Sequence, residues 1–242
     1  MQIGNRPLHL AVGAGHHNRT GGSDWEVELN GRVCRAVVEL CRISTGFEAR
    51  CYTPDEGLGI HPGPVDEMPR KVALEWDPVW RVDIFHEIHA QAAPDPTERG
   101  VFTIYPDGAG LESSYPNPGE LDYRIRDYGA VMVEIIASAV ALPMGGPHGT
   151  GIMSERHTWI GRRGRRLRIF AATATEGMIE HSCRFISEVG CHTNGLDRAI
   201  MSQPSFPGRQ AAGILQAYAA LARAHLGWTY DYSIAAGTAR TI

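Results

Sequence analysis

Eleven histidines are spread over 242 residues, and a few of them stand where an imidazole can do chemistry. In LHLAVGAGHHNRTGGSDWE, residues 8–26, an apolar run stops at Gly13, Ala14 and Gly15, and the first polar groups after it are His16 and His17. Asp24 reads as the cap of a helix that begins near Trp25 and carries Glu26 in its first turn. An imidazole at a strand's carboxyl end and a carboxylate at a helix's amino end are thus joined by a short tether. RVDIFHEIHAQA, residues 81–92, adds His86 and His89. Its spacing is HExH, so the helical HExxH zinc motif does not apply. On a strand these two rings face opposite ways, and one of them joins a given site. His89, just before Ala90 and Ala92, is the better placed; His86 reads as a supporting or packed histidine. Further on, a strand over 177–179 delivers Glu180 at its end.

Several other chemistries are excluded or disfavoured. Gly13, Gly15 and Asn18 do not complete GxGxxG, and GxxxxGK[ST] occurs nowhere, which argues against a nucleotide. Cys34, Cys41, Cys51, Cys183 and Cys191 are odd in number and contain no CxxC, so reduced, mostly buried thiols are expected. His192 after Cys191, and His181 before Cys183, read as bystanders rather than a metal cluster. A net charge of -4 gives no general attraction to nucleic acid or to a membrane surface. No apolar run approaches the roughly 20 residues of a membrane span. MQIGNRPLHLAVG lacks the basic start and long apolar middle of a signal peptide, so the chain is not expected to export itself.

The elements that must hold these groups follow from periodicity. Leu8, Leu10 and Val12 mark a buried strand. Leu29, Val33, Val37 and Leu40 fall at helical spacing in a helix over 26–42 that ends by Ser44 to Gly46. GFEARCYTPDEG reads as a second strand, 68–80 as a short helix or irregular segment, 81–92 as a buried strand and GVFTIYPDG as another. A strongly apolar helix over 128–141 follows a long polar loop, and a glycine-rich loop after it holds His148, His157 and five arginines from Arg162 to Arg168, read as a solvated turn. One or two strands over 168–172 and 177–179 come next, and Ile214, Leu215, Tyr218 and Leu221 form the apolar face of a terminal helix. The expectation is an α/β fold: one three-layer domain over 1–242, with a mixed, mostly parallel sheet, helices on both faces and no separate wall-binding domain. Polar groups at strand ends are where such sheets place their sites.

His16 in GAGHH, Glu26 in EVELN, His89 in DIFHEIHAQA and Glu180 in GMIEH occur in the order seen in the zinc-dependent N-acetylmuramoyl-L-alanine amidases of the type-3 fold, which this chain resembles. Glu26 stands four before Asn30, and Ile88, His89, Ala90 and Gln91 are similar to the family's histidine segment. The sequence departs from the pattern at His17, where a glycine is usual, and at Glu87, where the family has serine. HSCRFISE after Glu180 is also longer than the family's Gly-Phe-x-x-Asn, which makes Glu176 the substitute for Glu180.

The resemblance implies that His16, Glu26 and His89 hold Zn2+, and that Glu180 serves as the catalytic carboxylate. Two neutral imidazoles and one carboxylate leave an open position, the pattern of catalytic zinc; a further carboxylate must then move the proton. The implied substrate is peptidoglycan, cut between N-acetylmuramic acid and L-alanine, and the loops over 109–128 and around His148 would wall the groove. The implied place of action is the cell wall, reached as a phage endolysin released by lysis or through a leader outside this sequence. Two rival readings stay open: a related zinc amidohydrolase or carboxypeptidase-like enzyme acting on N-acyl amino acids or small peptides, and a non-catalytic wall-binding protein with this fold.

Overall fold

A computed structural model describes residues 6–16, 22–52, 67–107, 111, 123–146, 149–175, 182–225 and 232–235. Six strands form one sheet in the order β2-β1-β3-β6-β4-β5: β1 (Leu8–Ala14), β2 (Phe47–Cys51), β3 (Ile84–Gln91), β4 (Val101–Tyr105), β5 (Ile152–Ser154) and β6 (Cys183–Cys191). The pairs β1 with β2, β1 with β3, β3 with β6 and β4 with β5 are parallel, while β4 runs antiparallel to β6. The sheet is therefore mixed and mostly parallel, as expected.

Helices cover both faces. On one side lie α1 (Asp24–Ile43), α4 (Tyr123–Val140) and α7 (Phe206–His225), with the short α6 (Gly195–Met201) leading into α7. Their apolar residues, among them Val33, Val37, Met132, Ile136, Ile214 and Tyr218, close the main core over Leu10, Ile84 and Phe185. Each such aliphatic side chain removed from water contributes about 1.5–3 kcal/mol, so these stripes fix which face of each helix meets the sheet. The opposite face is covered by α2 (Glu67–Lys71), a π-turn over Val72–Trp76 and α3 (Asp77–Trp80), which bury Val72, Ala73 and Trp80 against Ala11 and Phe85. Beside them α5 (Arg168–Thr175) packs Ile169 and Phe170 on Phe102, Ile104 and Ile186.

Three local expectations change. Residues 168–172 form the start of α5 rather than a strand, because an apolar run this short carries no period of its own and its alanines favour a helix. Arg166 leaves the expected solvated turn: it is buried, with Nη2 3.3 Å from the carboxylate of the fully buried Glu155, whereas Arg162, Arg163 and Arg165 stay exposed. The α1 cap is Ser23, whose hydroxyl accepts from the Glu26 backbone N–H at 3.2 Å, and Asp24 is the first helical residue. The strand over 177–179, most of the loop over 109–128 and His148 itself lie outside the described residues. Among the described residues no helix is long and apolar enough to cross a membrane.

Candidate metal centre

The carboxyl ends of β1, β3 and β6 meet the amino end of α1. Parallel pairing sets Gly13 and Ala14 of β1 beside Glu87 and Ile88 of β3, and β1 then turns through Gly15. The Gly15 N–H donates to the Ile88 carbonyl at 2.7 Å, and a Cβ on Gly15 would come within 2.3 Å of the His89 ring. Only a residue without a side chain allows this approach. His16 follows with φ of 57°, a left-handed conformation that costs a β-carbon-bearing residue energy and that clusters at functional sites. Its ring lies edge-on to that of His89, with centroids 4.8 Å apart.

Glu26 faces both rings from the first turn of α1. Its Oε1 lies 3.4 Å from His16 Nε2 and 3.6 Å from His89 Nδ1. One donor atom from each of His16, Glu26 and His89 lies within 4.8 Å of the others, and among the described residues no other three His, Cys, Asp or Glu side chains converge in this way. Two donors bound about 2.0–2.1 Å from a tetrahedral zinc stand about 3.3–3.4 Å apart. The two distances from Glu26, 3.4 and 3.6 Å, are close to that spacing, while the group as a whole spans up to 4.8 Å and would contract around an ion, so the donor set fits.

The electrostatics are those of a cation site. Burial opposes charge on Glu26, but a hydrogen bond from His89, together with the nearby His89, His16 and His192, holds its pKa below the usual carboxylate value. Burial likewise opposes charge on His89, and hydrogen bonds to Glu26 and Glu87 outweigh it, raising that pKa well above 6.5. The buried pocket between these acids therefore draws positive charge.

The structure brings together His16, Glu26 and His89. Glu180 and Glu176 lie outside the described residues. His86 points to the opposite face, as strand alternation requires: its Nδ1 meets the Tyr218 hydroxyl and its Nε2 lies 2.8 Å from Ser187 Oγ, fully buried. Burial pushes its pKa down to about 3, so it is a neutral packed residue.

Two neighbours of the site were not assigned to it by the sequence. Glu188 on β6 is in register with His89 on β3 and is the one residue of β6 that is partly exposed rather than buried. Burial of its carboxyl group, opposed by His89 and reinforced by Glu26 and Glu87, pushes its pKa up to about 7. A signal for it does exist: Gly190 and Asn194 follow Glu188 at the spacing of the Gly-Phe-x-x-Asn pattern, with Cys191 in place of the aromatic residue. His192, taken as a bystander, places Nε2 3.8 Å from Glu26 Oε2 and packs on Trp25.

No known family profile matches the chain, and no curated protein does. Solved structures do. The catalytic domain of CwlV, an N-acetylmuramoyl-L-alanine amidase from Bacillus (Paenibacillus) polymyxa, superposes with a TM-score of 0.60 at 16% identity, over 89% of this chain and 98% of that one. This chain has the fold of the solved N-acetylmuramoyl-L-alanine amidases. The amidase from Clostridium difficile 630 gives 0.62 at 13% identity, over 91% and 99% of the two chains. Amidase AmiC2 of Nostoc punctiforme gives 0.59 at 14%, over the same shares. The superposed amidase chains are thus spanned almost end to end by the sheet and helices described above.

Proposed function

We propose that the chain is a zinc-dependent N-acetylmuramoyl-L-alanine amidase that hydrolyses the amide between N-acetylmuramic acid and L-alanine in peptidoglycan, with residues 1–242 acting as one catalytic unit. The observation that carries the reading is the convergence of His16, Glu26 and His89 within 4.8 Å in a fold shared with amidases of that name. His16 Nε2, Glu26 Oε1 and His89 Nδ1 are the atoms that would hold the ion. Bound there, zinc supplies a Lewis acid for the amide carbonyl and for the attacking water.

The protein's own groups divide the remaining work. Glu188 takes a proton from the attacking water and returns it to the departing alanine nitrogen; burial, which raises its pKa above the ordinary carboxylate value, makes it the better base for the first step. Its partial exposure leaves a path for water, and its register opposite His89 keeps it beside the ligands without belonging to them. In this reading the proton-transfer role assigned to Glu180 by resemblance passes to Glu188. Glu26, held anionic by its neighbours, offsets the ion's charge. The likeness to amidases supports peptidoglycan of the cell wall as the substrate.

The test is release of new L-alanine amino termini from purified sacculi by the zinc-loaded protein. Glu188→Gln is expected to keep zinc and lose about 10²–10⁴-fold in rate, His89→Ala to lose both, and Glu180→Gln to retain most activity. Activity kept in Glu188→Gln and lost in Glu180→Gln would return the role to Glu180. No release by zinc-loaded wild type would reject the amidase reading.

A further inference from the structure

β3 carries an acid two residues before its site histidine. Glu87 is buried, with Oε1 2.8 Å from His89 Nε2 and Oε2 accepting from the Tyr52 hydroxyl at 3.1 Å. Glu87 and His89 lie on the same face of the strand, opposite His86. Tyr52 is itself wedged. It is fully buried and stacks on Phe85 with centroids 5.0 Å apart, and its ring occupies the space at the end of β1 where a Cβ on Gly13 would come within 2.0 Å. Burial raises the Tyr52 pKa well above 10, so its hydroxyl stays a donor.

In its neutral, ligating form an imidazole that donates through Nε2 presents a lone pair at Nδ1, and His89 Nδ1 is the atom that faces Glu26, at 3.6 Å. We propose that Glu87, held by Tyr52, is a positioning residue that fixes the ring plane and tautomer of His89 so that Nδ1 is aimed at the ion shared with His16 and Glu26. The proposal rests on reading those three residues as a zinc site. Carboxylates that accept from the far nitrogen of a metal-binding histidine are a general device for orienting the ring. Here that carboxylate comes from the ligand's own strand, and a tyrosine from the β2 end supports it.

Zinc affinity, measured by chelator competition on the full chain, tests this independently of hydrolysis. Glu87→Ala is expected to weaken binding about 10–100-fold. Glu87→Gln retains an acceptor oxygen and is expected to keep most of the affinity. Tyr52→Phe leaves the stacked ring in place and is expected to weaken binding by a few-fold. In the zinc-loaded wild type, the His89 Nε2 proton should be visible by NMR and slow to exchange, and Glu87→Ala should lose it.

Affinity in both Glu87→Ala and Tyr52→Phe within threefold of wild type would overturn the proposal, as would equal losses for the alanine and glutamine variants. If Glu87→Ala fails to fold, Glu87→Gln and Tyr52→Phe decide. Wild type that binds zinc no better than His89→Ala would bring down the zinc site and this proposal together. Tight wild-type binding with unchanged variants would remove this proposal alone.

Discussion

Gly15→Ala isolates the geometry of the site from the stability of the fold. The added Cβ would sit 2.3 Å from His89 Cε1 and 2.4 Å from Nδ1, where ordinary contact begins near 3.4 Å, so the ring must retreat by about 1.1 Å (3.4 − 2.3). Gly15 has no left-handed φ, so its backbone tolerates alanine. The cost falls on one side chain, about 0.5–1.5 kcal/mol for leaving its rotamer, or roughly 2–4 °C in Tm per kcal/mol for a chain of this size. Metal–ligand bonds lie within about 0.2 Å of their ordinary lengths, so a nitrogen held back by about 1.1 Å falls out of bonding range. The expected outcome is a metal-free protein melting within a few degrees of wild type and a zinc affinity reduced about 100-fold or more, at or beyond the upper end of losses seen when a ligand's supporting partner is removed. Thermal unfolding in chelator and a chelator competition measure the two halves. Gly208→Ala, where nothing lies within 4 Å, is the control and should bind zinc like wild type. Unchanged zinc affinity in Gly15→Ala would refute the placement of His89 against the β1 turn.

Two further perturbations test the frame around the site. His86 stays neutral in the fold down to about pH 3, whereas an unfolded histidine takes up its proton near pH 6.5. Between those values the unfolded state binds more protons, so this residue's contribution to stability is present above 6.5 and is lost as pH falls, by up to about 1.4 kcal/mol per unit. Urea unfolding at pH 7.5 and 5.5 should show a smaller acid loss in His86→Gln than in wild type; equal losses would refute the assignment. Asp197 is fully buried and accepts from the N–H of Gly100 at 2.6 Å and of Cys191 at 3.1 Å while pairing with Arg99. Asp197→Ala should therefore cost about 3 kcal/mol by leaving buried donors unpaired, read as a drop in the urea midpoint, and a loss under 1 kcal/mol would show that the tie between the start of β4 and the end of β6 is dispensable.

Much of the site was legible because its parts sit at boundaries that sequence marks clearly. The β1 run breaking at Gly13 and Gly15, the apolar period of α1 beginning after Ser23, and the apolar start of β3 each locate one donor. Two-residue alternation was enough to separate His86 from His89. Glu188 was hidden for the converse reason: β6 buries Arg184 and Ser187 along with its apolar residues, so its alternation is masked and the strand resembles a polar loop. Burial of Arg184 pushes its pKa down to about 9, a sign of how far that position lies from the exposed setting its residue type suggests. α5 went unrecognised as a helix because eight residues give too little period to separate it from a strand.

The pairing of His89 with Glu188 across β3 and β6 makes their spacing a property of the backbone ladder, whose neighbouring strands stand about 4.8 Å apart. A shift of β6 by one residue would carry Glu188 to the other side of the sheet, and the irregularity in this pairing comes only after it, between His89 and Gln91. Substitutions elsewhere that leave this pairing intact therefore leave the spacing of the two groups intact.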